Sequence, residues 1–475
     1  MTLTSTGIIS LAGTVTGKSI EVETSGTNSS GTAPISLNDP LVRGFAGIAS
    51  GAISMSNFYN LSSSWLLTET GSGANNEFFP SCTDLSGNIY HIANGVYLFK
   101  FSSSGTLVWA KQLSTGGITS LQFGADGYLY VTATYKVSTI IGQAILKLDT
   151  SGNIIWQSYV VPGSGSFGAV GVRTDTAGNA YTLISYSIST SSYHVITKHN
   201  SSGVLQWQRL YSNGGTVNIP TGIFLSADGT TLTITGYTNG AGGGSTNPII
   251  LSLTVSGASP SINYQKAISS SGSNYSYQSI GDSSGNIYIL VYTSGTTLLN
   301  IFKISSSGTI TWQYSFSSGF FTNIALDISG NLYLLGTGVA LKMTNSPSVI
   351  WYRSISFSTN GSSVNNSVVN NFAVDTALTF GITLQNIYGT ISGIITSDVT
   401  QAILRVPLDG SKTGSYSPAN TTALITYSST TAPTLNATAY SLATPSNTLT
   451  TTVYSSGTST LSFITYSDTV NKTNL

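Results

Sequence analysis

DSSGNIYILVYTSGTTLLNIFKISSSGTITWQYSF, residues 282–316, reads as strands joined by glycine turns. An aspartate opens the turn DSSGN, and Tyr288 follows it on the next strand. Lys303 precedes the turn SSSG, and Trp312 follows that turn. In TITWQYSF the residues Ile310, Trp312, Tyr314 and Phe316 fall on one face, while Thr309, Thr311 and Gln313 fall on the other. That period of two belongs to a half-buried strand. Turns such as SSSG and DTSG put glycine where a left-handed backbone is needed, as in hairpin loops of about three to five residues.

The stretch is one copy of a repeat. The lysine, glycine and tryptophan recur as Lys100, Gly105 and Trp109, as Lys147, Gly152 and Trp156, and as Lys198, Gly203 and Trp207. The aspartate turn recurs as DLSGNIY at Asp84, DGYLY at Asp126, DTAGNAY at Asp175, DGTTLTI at Asp228, DISGNLY at Asp327 and a degenerate DTALTF at Asp375. Successive aspartates lie 42 to 54 residues apart. That spacing matches four-stranded propeller blades and exceeds leucine-rich or ankyrin periods. The expected fold is all-β, a seven-bladed β-propeller of four-stranded blades over residues 61–414.

All six tryptophans occupy one slot of the repeat, filled by Trp65, Trp109, Trp156, Trp207, Tyr264, Trp312 and Trp351. A large ring at the same depth of each outer strand is expected to pack on the neighbouring blade, burying about 150 to 250 Å². The lysine slot holds Lys100, Lys147, Lys198, Lys303, Lys342 and Arg405, with Ser252 in the Asp228 unit. Asp and Lys lie at the same end of a meander, so a ring of Asp to Lys/Arg pairs is expected on one face. Trp65 precedes the first aspartate and Asp375 follows the last tryptophan. A strand at about 62–70 should therefore close the last blade, removing free sheet edges.

These units resemble the seven-bladed β-propeller repeats of many bacterial secreted and surface proteins, which run D-x-x-G-N-x-Y and then K-x-x-x-x-G-x-x-x-W. Such repeats imply a scaffold and no fixed activity.

Composition narrows the partners. Only 7% of residues are charged and the net charge is zero, which excludes the basic field that nucleic acid and anionic membranes require. The 40% apolar content with 26 tyrosines supplies a large core, so disorder is not expected. Solubility then rests on Ser, Thr, Gly and Asn, as in many secreted and virion β-proteins. The lone Cys82 excludes an internal disulfide framework. The amino terminus has no positive residue before Lys18 and lacks a long apolar run, so it makes a poor signal peptide. No apolar stretch is long enough for membrane insertion.

Residues 1–60 stand outside the repeat. Within ISLNDPLVRGFAGIASGAISMSNFYN, Asn38 or Asp39 suits the cap of a short helix with Pro40 in its first turn. About residues 30–60 resemble the amino-terminal element of many tailed-phage virion proteins, an "ISLNDxxVRxLAG…SGAISMSDFYG" run that precedes diverse distal domains. Asn57 stands where that run has Asp, and Asn60 where it has Gly. The resemblance implies a tail or fibre protein joined to other virion proteins through this element; capping one propeller face is the alternative. Residues 415–475, Ser/Thr-rich with recurring tyrosine, form a β-rich extension, read as a small β-sandwich or an oligomerising segment.

Catalytic chemistry finds little material. Glutamate occurs only at Glu21, Glu23, Glu69 and Glu77, and turns absorb most aspartates, leaving Asp149, Asp398 and Asp409 for a glycosidase pair. The SSSGTITW segments are only faintly similar to the Asp box of sialidases, and four arginines in the propeller are too few for a carboxylate clamp. Quinone-dependent dehydrogenases also carry tryptophan-bearing blades, but no acidic loop cluster offers their calcium site. His91, His194 and His199 lack partners at metal-ligand spacing. No cofactor, no metal and no enzyme activity are expected.

Recognition is expected on the face opposite the aspartate turns. Loops such as YSISTSSYH, AISSSGSNYSYQ and YSFSSGFFTN combine aromatic residues with Ser, Gly and Asn, the composition of paratopes. Tyr193, Tyr275, Tyr277, Phe320 and Phe321 are the candidates for touching a host-surface glycan or protein. The expectation is a non-enzymatic phage virion protein, a tail fibre or receptor-binding component made in the host cytoplasm and acting as a homo-oligomer. A capsid decoration protein and a bacterial surface adhesin are the alternatives.

Overall fold

A computed structural model describes residues 65–70, residues 81–359 apart from short gaps, and parts of 362–474. Among the described residues the regular elements are strands. The building block is an antiparallel four-stranded meander. One consists of Asn274–Gly281, Ile287–Thr293, Leu299–Ile304 and Ile310–Phe316 in that order. The same order joins Ser81–Thr83 to Leu107–Leu113, Ile118–Phe123 to Ile154–Val161, Ser166–Thr174 to Leu205–Ser212, and Asn218–Leu225 to Ser261–Ser269. These are the blades that the repeat predicts.

The turns follow from their residues. Gly285 adopts φ 77° and donates its N–H to the Asp282 carbonyl, while the Asp282 N–H reaches the Asn286 carbonyl. This is a type I turn with a glycine bulge, a compact way to reverse a strand. In the blades whose side chains are described, the second and third strands are mostly buried, as in Ile287–Thr293 and Leu299–Ile304. They read as near-continuous apolar runs because both faces are covered. The fourth strand, Ile310–Phe316, is half-buried along most of its length, as the alternation in TITWQYSF predicts.

A β-bulge recurs where the third strand meets the fourth. Register slips after Lys100, Lys147, Lys198, Ser252, Lys303 and Lys342. The bulge leaves each of those residues directly opposite its aromatic partner, so the slot reading of the sequence is a statement of register. Lys303 faces Trp312, and Ser252 faces Tyr264.

The chain divides into two compact units. The first comprises 1–112, 327–432 and 464–475. In it Trp65–Thr70 pairs with Ile394–Pro407, Trp65 opposite Arg405, completing a meander with Val368–Val374 and Ala377–Ile391. The early tryptophan strand thus finishes the late blade. Strands Leu332–Gly336, Val339–Met343 and Val349–Thr359 form another meander there. Asp375, the 1–60 element with its expected helix, and Asp409 lie outside the described residues.

The second unit comprises 113–326 and 433–463. Its cores lie between consecutive blades. Phe224, Ile250 and Ile268 pack with Ile287, Ile289 and Phe302, and Tyr181 and Trp207 pack with Ile234 and Leu251. Burying apolar area on both faces at about 25 cal/mol per Å² makes this stacking the main stabilising term.

The carboxyl-terminal region departs from expectation. Apart from Gly414–Tyr416, which pairs with Ala423–Ser429, its described strands add to the outer edges of the blades and do not build a sandwich of their own. Ala423–Ser429 pairs with Val349–Thr359, and Val470–Asn474 with Trp65–Thr70. In the second unit Leu435–Ala437 pairs with Ile310–Phe316, Ser441–Ala443 with Ser261–Ser269, Thr448–Thr451 with Leu205–Ser212, and Ser455–Gly457 with Ile154–Val161. Each blade edge so covered gains a fifth strand. A fourth strand offers unpaired N–H and C=O groups, and the short tail strands satisfy them.

Candidate functional site

Two ends of the blades carry different chemistry. At the turn end, a side-chain row crosses each blade at one depth. Tyr288 stands opposite Lys303, which stands opposite Trp312. The same row reads Tyr90, Lys100, Trp109; Tyr130, Lys147, Trp156; Tyr181, Lys198, Trp207; and Tyr333, Lys342, Trp351. The closing blade substitutes Thr379, Arg405 and Trp65.

The aspartates are first of all turn residues. Asp84 accepts the N–H groups of Ser86 and Asn88, each at 2.9 Å, and the Asn88 amide at 2.8 Å. Asp175 and Asp282 repeat the pattern, and Asp327 repeats its Asn331 half. So does Asp149, which places that glycosidase candidate in a hairpin turn. The tyrosine hydroxyl then donates to the aspartate: Tyr90 to Asp84 at 3.2 Å, Tyr288 to Asp282 at 3.1 Å, and Tyr333 to Asp327 at 3.2 Å. Burial, and then the neighbouring carboxylate, push the Tyr130, Tyr181 and Tyr288 phenols well above their usual range, so they stay neutral donors.

Where the expected Asp to Lys pair forms, the tyrosine of the same row makes it a trio. The Lys147 ammonium pairs with Asp126 at 2.8 Å and Lys342 with Asp327 at 3.6 Å. Lys100, Lys147, Lys198, Lys303 and Lys342 all lie over the ring of the tyrosine in the same row, 4.9 to 5.4 Å from its centre. Two slots also need correcting. Asp126 and Asp228 sit two residues later in their turns than Asp84 does, because Gly124 and Ser226 occupy the opening position. Residue type alone aligns them with Asp84, whereas the turn hydrogen bonds place them two positions on.

Three members of the tryptophan slot, Trp156, Tyr264 and Trp351, reach the next blade. The Trp156 ring lies on Gly203 of the next blade, where an added Cβ would come within 2.6 Å of it, and its Nε1 donates to the Ser201 carbonyl at 2.8 Å. Tyr264 packs likewise on Gly308. The Trp351 Nε1 reaches the Leu408 carbonyl at 3.1 Å. Around Trp156, Tyr264 and Trp351 the turn end is filled by packing between blades.

The loop end holds an aromatic cluster in the second unit. Tyr277, 37% exposed, meets Phe320 edge-on with ring centres 5.3 Å apart and Tyr292 at 6.1 Å. Phe320 also meets Tyr292 at 5.8 Å, and Tyr275 meets Tyr237 edge-on at 5.3 Å. A bulge between Ser276 and Ser279 turns the Tyr277 side chain outward. Burial and then the nearby Tyr292 and Tyr237 phenols raise the Tyr277 phenol above its usual range, so it is neutral at physiological pH. Four of the five rings stand on strands, which fixes their spacing; Phe320 directly precedes the strand Phe321–Leu326.

The sequence candidates divide accordingly. Tyr275, Tyr277 and Phe320 come together in the cluster. Tyr193 packs with Tyr186, 5.9 Å away, beside Phe167. Phe321 is a correction: it is fully buried against Phe316, because strand alternation turns it inward where Phe320 faces out. Tyr237 and Tyr292 were missed. A signal existed: GYTNG and VYTSG both end a second strand with tyrosine before a glycine loop.

His194 and His199 are both buried in one strand, Ser191–His199. Burial lowers their pKa to about 3 and about 4, leaving them neutral core residues. Among the described residues no three His, Cys, Asp or Glu side chains form a metal-binding group.

No family model and no curated protein matches the chain. Among solved structures, a protein of unknown function from Bacteroides caccae covers 61% of this chain and 93% of its own, at 12% identity and a TM-score of 0.35. BamB from Moraxella catarrhalis covers 71% and 97%, at 10% identity and a TM-score of 0.34. The polysaccharide lyase Uly1 covers 77% and 95%, at 9% identity and a TM-score of 0.43. Likenesses of this grade transfer neither activity nor site residues.

Proposed function

We propose that the chain is a non-enzymatic structural component of a phage virion, a tail-fibre or receptor-binding protein whose blades close into a seven-bladed ring. Its loop end binds a host-surface glycan. The observation that carries binding is the cluster of half-buried Tyr237, Tyr275, Tyr292 and Phe320 around the exposed Tyr277, on or directly beside strands. Aromatic faces stack on the apolar faces of sugar rings, while flanking Ser and Asn groups supply hydrogen bonds. The resemblance of residues 30–60 to the amino-terminal element of tailed-phage virion proteins supports the virion assignment. Capsid decoration is the second reading, favoured by the same element.

The test uses the full chain. Labelled protein is titrated onto host cells and onto purified surface polysaccharide, beside a Tyr277→Ala/Phe320→Ala variant. Each ring contact is worth about 1 kcal/mol, so the variant should bind roughly tenfold or more weakly. Equal binding by both proteins removes the cluster as the site. Immunogold labelling of purified particles should mark the tail; label on the capsid favours decoration, and unlabelled particles remove both. Release of reducing sugar from the polysaccharide would overturn the non-enzymatic reading.

A further inference from the structure

The 218–269 blade breaks the turn-end row. Where its neighbour has Tyr288, Lys303 and Trp312, it has Thr233, Ser252 and Tyr264. A phenol ring and a lysyl side chain are thereby missing from the interior of one repeat. The molecule leaves that volume open. A cavity of about 380 Å³ lies there, lined by Phe224, Asp228, Thr233, Ser252, Asp282 and Ile287 among others. Its size falls within the range of small-molecule sites, roughly 300 to 1,000 Å³.

A regular blade shows what such a space accommodates. In the 118–161 blade, Asp126, Tyr130 and Lys147 converge on Gly178 of the next blade. A Cβ there would stand 2.8 Å from the carboxylate, 3.3 Å from the phenol oxygen and 3.4 Å from the ammonium. The matching glycine beside the 218–269 blade is Gly285, and a Cβ there would meet only Ser306 within 4 Å. The carboxylate has nevertheless stayed. Asp228 occupies the same turn position as Asp126, whose carboxylate holds the Lys147 ammonium at 2.8 Å. Hydrogen bonds from Ser226 and Thr230 hold Asp228 in place and favour its ionised form. Asp282 of the next blade adds a second carboxylate to the lining. Arg173, stacked over the Phe224 ring at 5.9 Å, is not part of the lining.

We infer that this cavity is a binding site for a small aryl-alkylammonium ligand, whose ring and ammonium replace the tyrosine and lysine the blade lacks. The ring lies against the cavity wall that Phe224 and Ile287 form, with Thr233 and Ser252 lining the same space. The ammonium reaches Asp228 at the mouth. A lysine side chain from another protein would leave the ring volume empty, so the ligand is a free amine.

The probe is tyramine, titrated into the full chain by ligand-observed NMR, with p-cresol and n-butylamine supplying each half alone. Saturable tyramine binding is expected, with both halves at least tenfold weaker. Asp228→Asn, at an exposed turn tip, should weaken tyramine about tenfold, or 1.4 kcal/mol. Thr233→Tyr/Ser252→Lys, which restores the regular row, should abolish binding. Absence of saturable tyramine binding overturns the proposal, as does a folded row-restoring variant that binds like the wild type. Asp228→Asn stays readable if that variant fails to fold, and unchanged affinity there overturns the ammonium placement. A lysine-containing peptide that outcompetes tyramine would overturn the free-amine assignment.

Discussion

The 274–316 and 218–269 blades stand side by side with the same strand order, the same bulge after the third-strand slot and the same glycine turns. One fills its turn end with Tyr288, Lys303 and Trp312; the other places Thr233, Ser252 and Tyr264 at those positions and keeps a cavity. The backbone therefore does not depend on the row. Register comes from the turns, the bulge and the interleaved apolar cores, and the row is an inset that one blade has exchanged for empty volume.

Breaking the row in each blade measures that difference most directly. Tyr288 is fully buried, so Tyr288→Ala should cost about 3 to 5 kcal/mol, while Thr233→Ala should cost about 1 kcal/mol. Urea midpoints compare the two. Similar losses would mean that the rows are not equivalent insets.

The blade on the other side of 218–269 supplies the next largest effect, through its buried histidines. Unfolded imidazoles take up protons near pH 6.5, whereas His194 and His199 resist until about pH 3 and about pH 4. Across that window the unfolded state binds more protons, so stability falls as pH drops below 6.5. At about 1.4 kcal/mol per pKa unit, the loss approaches roughly 3 kcal/mol for each imidazole by about pH 4. A His194→Gln/His199→Gln variant should show a flatter dependence of its urea midpoint on pH. An unchanged slope would place the acid sensitivity elsewhere.

The smallest effect separates the two offset aspartates. Asp126→Asn removes a largely buried partner of Lys147 and should cost about 2 kcal/mol. Asp228→Asn, at an exposed turn tip whose carboxylate is held by Ser226 and Thr230 of the same turn, should lower the thermal midpoint far less without ligand. Equal destabilisation would show that the turn bonds to Asp228 matter as much as the Lys147 pair does to Asp126.

Much of this was legible beforehand, for a definite reason. Repetition multiplies a weak local signal: one KISSSGTITW is an ordinary hairpin, but the recurring lysine, glycine and tryptophan define strand three, turn and strand four together. The offset between Trp65 and Asp375 disclosed the closing strand for the same reason. Asp126 and Asp228 misled because their turns place the carboxylate two residues later, and only hydrogen bonds reveal turn position. Phe320 and Phe321 were inseparable in sequence because facing is decided where the strand begins. The tail misled because its short strands carry no pattern naming their partners; edge pairing uses main-chain groups that every residue has.

The amino-acid order by itself determined the blade, its period, its turns and the join between its ends, since each follows from local alternation and glycine chemistry that repeat along the chain. Tertiary structure alone decided which rings share a surface, which edges the tail covers and that two small residues in one row leave a cavity. Those outcomes depend on groups far apart in the chain meeting in space, and a pattern of neighbours in sequence does not record that.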